Sequence, residues 1–179
     1  MQTLRHIYLI GFMGCGKSHW GKLLAQELDL PFYDLDELIS QMVGKSIPRI
    51  FQESGESGFR LLETRALHLI NEMDHPAIIA TGGGTPCFFN HIDLMKNAGR
   101  VIFLKTHPKL LSNRLKQEKQ NRPLLADVPD EQLETIIQQK LTQRNDCYHK
   151  ANHIITQDSN EQNLLPELVT ICSQWLQKT

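Results

Sequence analysis

Ile7-Tyr8-Leu9-Ile10-Gly11-Phe12-Met13-Gly14-Cys15-Gly16-Lys17-Ser18 is the stretch whose reading decides the fold. Four apolar residues run unbroken into Gly11, and residues 11–18 then complete the pattern G-x-x-x-x-G-K-S. A helical pattern begins near Lys17. A strand that feeds a glycine-rich turn into a helix N-terminus is the geometry that cradles a nucleotide triphosphate. The glycines let the backbone curl so that successive N–H groups point at phosphate oxygens. Gly14, Cys15, Gly16, Lys17 and Ser18 are therefore the expected phosphate contacts. Lys17 is placed to reach the β- and γ-phosphates, and the Ser18 hydroxyl to ligate Mg²⁺.

Outward from this loop, apolar runs that read as buried parallel strands alternate with helical segments. The runs are Ile7 to Ile10, Pro31 to Tyr33, Ala77 to Ala80, Val101 to Leu104 and His153 to Thr156. This alternation predicts an α/β sheet with helices on both faces. The first helix, Lys17 to Leu28, places Trp20, Leu23, Leu24 and Leu28 on one face. Asp36 is read as the cap of a second helix through Val43, and Ser46 as the cap of a short helix to Phe51 with Pro48 in its first turn. A longer helix is expected from about Glu56 to Asn71, with Phe59, Leu62, Ala66, Leu69 and Ile70 inward. Helices also fit Pro108 to Lys116, Pro129 to Cys147 and Glu161 to Leu176. The polar stretch from Gln117 to Asp127 stands between two of these and reads as a surface connection or a lid.

The chain of 179 residues is long enough for one domain with a sizeable core. A net charge of −1 gives no global footprint for nucleic acid or an anionic membrane. No apolar stretch approaches the roughly 20 residues that cross a bilayer, and with a strand pattern so close to Met1 no signal peptide is expected. The four cysteines, at 15, 87, 147 and 172, have no metal-like or paired spacing and fit reduced thiols in the cytosol. His149 and His153 stand four apart, but the second begins a strand pattern and no third ligand is near in sequence.

Three further groups bear on chemistry. Asp34-Leu35-Asp36 comes after the second strand, and ligands of open α/β sheets bind beyond the carboxyl ends of strands. Carboxylates two apart in a strand face the same side, toward a magnesium ion and a hydroxylated substrate. No apolar run ends in a Walker B aspartate, which makes Asp34 the candidate for the metal-side role. Thr81-Gly82-Gly83-Gly84 comes after the third strand with bare backbone that a ligand can approach. Arg60, Arg122 and Arg144 are candidate cations, because phosphoryl transfer needs positive charge on the transferred group and a carboxylate needs a planar fork. Taken alone, these residues describe a small-molecule kinase whose acceptor is unnamed.

An ordered set of motifs resembles the shikimate kinase family from His6 to about Asn160. It comprises Gly-Phe-Met-Gly-Cys-Gly-Lys-Ser at 11–18, Phe-Tyr-Asp-Leu-Asp at 32–36 and Gly-Glu-Ser-Gly-Phe-Arg at 55–60. Thr-Gly-Gly-Gly at 81–84, Arg-Pro-Leu-Leu at 122–125, and Arg144 with Tyr148 four residues later complete it. The resemblance implies a P-loop kinase, a three-layer sandwich around a five-stranded parallel sheet of order 2-3-1-4-5. It implies one domain over residues 1–179, a mobile lid at about 117–127 and substrate-binding helices at about 36–62. It implies ATP and Mg²⁺, with the ATP γ-phosphate passing to the shikimate 3-hydroxyl in aromatic amino acid biosynthesis. Asp36 would be the base beside that hydroxyl, Asp34 would support the magnesium ion with Ser18, and Arg60 and Arg144 would grip the shikimate carboxylate. Gly82 and Gly83 would offer N–H groups to the substrate, and Arg122 would close over the phosphates. A cytoplasmic monomer without nucleic acid or membrane partners is expected.

Some positions depart from the family's pattern. His19 stands in the first helical turn beside the nucleotide, where the family mostly has Thr or a small residue. Thr85-Pro86 comes after the glycines, and Asp146-Cys147 replaces the Pro-Leu often found between the arginine and the tyrosine. Other readings are a gluconate-kinase-like enzyme of the same fold and a non-catalytic kinase-like binding module. A GTP-dependent switch lacks its Asn-Lys-x-Asp motif.

Overall fold

In a computed structural model that describes residues 6–117, 125 and 128–177, strand β1 (His6–Ile10) runs into the glycine-rich loop and helix α1 (Lys17–Glu27). Next are β2 (Phe32–Asp34), α2 (Leu35–Val43), α3 (Ile47–Asn71) and β3 (Ile78–Ala80). A 3₁₀ turn (Thr85–Cys87), α4 (His91–Ala98) and β4 (Gly99–Thr106) succeed them. The chain continues through α5 (Pro108–Leu115), α6 (Leu133–Tyr148), β5 (His153–Gln157) and α7 (Leu165–Leu176).

The five strands form one parallel sheet in the order β2-β3-β1-β4-β5, as the resemblance implies. All five residues of β1 are buried, because both faces of the strand are covered. Ile7 and Leu9 point into a core shared with Leu24 and Ala25 of α1, Leu111 of α5, Ile137 of α6 and Leu168 of α7. Tyr8 and Ile10 point the other way, into a core with Ile39 of α2, Leu67 of α3 and Met95 of α4. The chain leaves β1 for α1 on one face and leaves β3 for α4 on the other. These neighbouring strands thus send their loops apart, which opens a crevice at their carboxyl ends.

Several local expectations are corrected. The cap of α2 is Asp34, whose carboxylate accepts a 3.0 Å hydrogen bond from the Asp36 N–H. A capping side chain reaches the N–H two or three residues ahead, so the residue before the helix does this and Asp36 cannot. The helices read separately at 46–51 and 56–71 are two helical runs, as expected: α3 breaks at Gly55, whose φ of 64° and ψ of −176° lie off the helical path. Within α3, Leu69 is exposed and Leu67 buried, while Arg60 and Glu63 occupy inward positions. An apolar stripe drawn through Leu62 and Leu69 misses these because the inward face carries a buried ion pair. Helices α6 and α7 begin four residues later than expected, at Leu133 and Leu165. Helix α4 was not anticipated. It is short, and it starts after Phe89 and Asn90, both in the left-handed region with φ of 48° and 56°. The lid expected at about 117–127 lies almost wholly outside the described residues, and Arg122 with it.

Candidate active site

The loop between β1 and α1 meets the loop after β3 at the crevice. Thr81 is bound to Leu9 through its N–H and its hydroxyl, both donating to the Leu9 carbonyl at 3.2 Å. That contact sets Gly82–Gly84 alongside the phosphate-loop candidates. Lys17 is 8% exposed, and its ammonium donates to the Gly11 and Phe12 carbonyls at 2.9 and 3.0 Å. The lysine is therefore held across the mouth of the loop. Ser18 Oγ donates to Asp34 Oδ2 at 2.5 Å, which brings the two oxygens expected near a metal ion into contact. His19 is exposed, with its ring edge-on to Trp20 at 4.8 Å.

Two cavities of about 410 Å³ each meet here. The first is walled by Gly14, Gly16, Lys17, Ser18, His19 and Asp34. The second is walled by Ser46, Phe51, Phe59, Arg60, Glu63 and Gly84. Met13, Asp36, Gly82 and Gly83 line both, so Asp36 stands between a phosphate-side and an acceptor-side space. Size does not single out the site. A cavity of about 570 Å³ between α5 and α6 touches Phe12 but includes neither Lys17 nor Asp34 or Asp36.

The acceptor-side wall rests on a buried charge network. Arg60 is 3% exposed and donates to Glu63 and Glu56, each at 2.7 Å. Glu63 is fully buried and also accepts from the Thr85 hydroxyl. Burial pulls the Arg60 guanidinium down, but the two carboxylates outweigh it and hold the group above its ordinary value. Burial pushes the Glu63 carboxyl up against the opposing charge of Arg60. The guanidinium also lies 4.2 Å from the centre of the Phe88 ring. Bare backbone in the loop permits this approach. A Cβ on Gly84 would lie 2.5 Å from Arg60 Nη2, and one on Gly82 would lie 2.8 Å from Glu63 Oε1.

Arg144 reaches the same loop from α6. It is 9% exposed, and its Nη1 donates to Gly83 O at 3.0 Å, a carbonyl that also accepts from Tyr148 OH. The two guanidinium groups thus flank Gly83 and Gly84. Sequence reasoning missed Glu56 and Glu63, although their spacing of four and three from Arg60 on one helix was the signal for them. It also left Arg114 unassigned. That residue lines the phosphate-side cavity and is fixed by Gly14 O at 3.0 Å, Gln157 and Asn160.

His91 braces this wall from behind. It is 1% exposed and joins Thr85 O to Thr64 of α3, each at 2.9 Å. A carbonyl only accepts, so Nδ1 carries a proton and donates to Thr85 O. Burial holds the imidazole below its ordinary value, and the charges of Arg60 and His68 act in the same direction against the Thr85 bond. A base with a depressed folded pKa contributes stability that is present above its unfolded value, about 6.5, and lost as pH falls through the folded value. Thermal melts of the wild type should therefore drop on acidification below about pH 6.5 more than those of His91→Gln. Parallel pH profiles for the two proteins would remove this role from His91.

A phosphate loop at the N-terminus of α1, an acidic pair where β2 ends and α2 begins, and a second pocket for an acceptor define a P-loop kinase. The family model for shikimate kinase matches residues 13–177. A shikimate kinase of Phocaeicola vulgatus is 42% identical over 158 residues, which is 88% of this chain and 90% of that one. The crystal structure of the shikimate kinase from Bacteroides thetaiotaomicron superposes with a TM-score of 0.85 at 37% identity, covering 97% of this chain and 98% of the other. That of the Acinetobacter baumannii enzyme, in complex with shikimate, gives 0.85 at 33% identity over 99% and 96%. The chain belongs to the shikimate kinase family.

Proposed function

We propose that this chain transfers the γ-phosphate of ATP to the 3-hydroxyl of shikimate, giving 3-phosphoshikimate and ADP, on the route to chorismate and the aromatic amino acids. The observation that carries this reading is the pair of cavities joined at Asp36, one behind Lys17 and the other in front of Arg60. The triphosphate would occupy the first, with the Gly14–Ser18 backbone and Lys17 on its phosphates and His19 at its edge. Lys17 would exchange its two carbonyl contacts for phosphate oxygens. Arg114 would offer a fixed planar face at the rim for the base. Shikimate would occupy the second cavity, its carboxylate toward Arg60 and Arg144 and its hydroxyls toward Asp36, Gly82 and Gly83.

In the transfer, the acceptor oxygen bonds to the γ-phosphorus, the bond to the ADP oxygen breaks, and the acceptor's proton passes to Asp36. Little covalent work falls to the protein, so positioning and charge stabilisation dominate. Ser18 and Asp34 supply two hard oxygen donors in contact, which suits Mg²⁺, an ion that keeps waters and takes further ligands from phosphates. The ion would neutralise charge on the phosphate oxygens. Arg122, carried on a lid at about 117–127, would add a cation from above and exclude water. The enzyme would act in the cytoplasm as a single-domain monomer, without nucleic acid or membrane partners. Among the described residues, no helix is long and apolar enough to cross a membrane.

A coupled assay of ADP release tests the activity. Release should depend on shikimate, and gluconate or nucleoside monophosphates should not replace it. Equal rates with and without shikimate would overturn the proposal. Arg144→Ala should raise the KM for shikimate about tenfold to a hundredfold, the scale of one lost hydrogen bond to a charged group, and leave the KM for ATP unchanged. A normal KM for shikimate in that variant would exclude the carboxylate role.

A further inference from the structure

Thr85 stands one residue past Gly84, where the glycine loop becomes the 3₁₀ turn, and it is fully buried. Its hydroxyl donates to Glu63 Oε1, while Glu63 Oε2 accepts from Arg60 Nη1 at 2.7 Å. Both oxygens of the carboxylate are thus engaged, one by the glycine loop and one by the helix. The last torsion of a glutamate is broad when nothing restrains it. With a partner on each oxygen, turning it costs a hydrogen bond. The Thr85 backbone is held as well. Its N–H donates to Gly82 O at 3.2 Å, and its carbonyl accepts from His91 Nδ1 at 2.9 Å. Thr64 Oγ1 lies 2.9 Å from His91 Nε2 and donates to Arg60 O at 3.0 Å. Thr85, Glu63, Arg60, Thr64 and His91 therefore close a ring of contacts through the turn, α3 and α4.

We propose that Thr85 is a positioning residue, whose hydroxyl holds the Glu63 carboxylate so that Arg60 meets the acceptor's carboxylate in a fixed place relative to Asp36. This deepens the acceptor-site reading above and rests on it. A Cβ on Gly82 would lie 2.8 Å from both Thr85 Oγ1 and Glu63 Oε1, and 3.4 Å from Asp36 Oδ1. The hydroxyl, its carboxylate and the proposed base thus crowd one point of bare backbone. A shift of Glu63 is felt both at Arg60 and beside Asp36.

Arg60 is aimed chiefly from the inside. Its outer partner, the Glu56 side chain, is 45% exposed, and water competes for that bond. Glu63 is fully buried, so its bond to Arg60 is the firmer anchor. Thr85 ties that anchor to the loop that carries Gly82–Gly84. The hydroxyl is the working part of the side chain. Serine keeps it. Valine keeps the branched shape but puts a methyl where the donor was, which leaves Glu63 Oε1 buried without that bond.

Steady-state kinetics and denaturant unfolding of the wild type, Thr85→Val and Thr85→Ser test this. Thr85→Val should raise the KM for shikimate about threefold to tenfold, the scale of one ordinary hydrogen bond, and leave kcat and the KM for ATP close to their wild-type values. Thr85→Ser should restore the KM for shikimate. A role in packing alone would lower stability without that split between the two substrates. Where Thr85→Val does not fold, Thr85→Ala takes its place. A second measurement needs no substrate. A hydrogen bond to a carboxylate is stronger than one to a neutral amide, so Thr85→Val should shift the unfolding midpoint less in a Glu63→Gln background than in the wild type. An unchanged KM for shikimate in Thr85→Val, an equal rise in the KM for ATP, a serine variant that behaves like the valine one, or equal midpoint shifts in the two backgrounds would each overturn the proposal. A wild type that ignores shikimate would overturn the acceptor reading instead, and the unfolding comparison would then decide by itself whether Thr85 sets Glu63.

Discussion

Asp36→Asn should lower kcat with shikimate by about 10²- to 10⁴-fold, the range of a positioned general base, while the affinity for ATP stays close to that of the wild type. The substitution keeps the size of the side chain and removes its ability to take a proton. Asp36 sits in the first turn of α2, where a carboxylate also favours the helix dipole. Losing that charge costs about 1 kcal/mol or less, so the fold should survive the change. The cap itself is held by Asp34 and is untouched. Rapid-quench kinetics with saturating ATP and shikimate would isolate the chemical step. A variant that keeps wild-type kcat would show that the acceptor's proton goes elsewhere and that Asp36 serves binding alone.

The sequence made this residue visible for a reason that also marks where reading stops. Buried parallel strands are near-continuous apolar runs, so Ile7 to Ile10 and Val101 to Leu104 announce themselves, and the residues just past each strand's carboxyl end lie at the crevice. The phosphate loop, the Asp34–Asp36 pair and the triple glycine all belong to that class of legible position. The acceptor-side wall does not. Its inward face carries Arg60 and Glu63 where an amphipathic reading expects apolar side chains, so Leu69 was turned inward and Leu67 was passed over. Helix α4 was lost for the same cause, because His91 fills one of its inward positions. Arg144 and Tyr148 meet Gly83 only because α6 folds back onto the glycine loop, which no spacing records. Asp36 was read as the cap where Asp34 is; the two are alike in residue type, and only the helix boundary separates them.

The Arg60–Glu63 pair carries a second large effect, on stability and not on chemistry. Arg60→Ala should destabilise the fold by about 3–5 kcal/mol, the cost of leaving one buried member of an ion pair without its partner. Glu63 is fully buried, and without Arg60 its carboxylate keeps only the Thr85 hydroxyl among the hydrogen-bond partners described above. Glu56 loses its partner too, but it is close to half exposed and water replaces the arginine there. The cost therefore falls on Glu63, and neutralising that residue should recover part of it. In denaturant unfolding, Arg60→Ala combined with Glu63→Gln should be more stable than Arg60→Ala alone. If the double variant is no better, the charge of Glu63 is not what makes the lost arginine expensive. This coupling also governs how any loss of shikimate binding in Arg60→Ala is read. The grip on a carboxylate and the integrity of the wall fail together in the single variant. Arg144, which has no carboxylate partner among the hydrogen bonds described, separates the two.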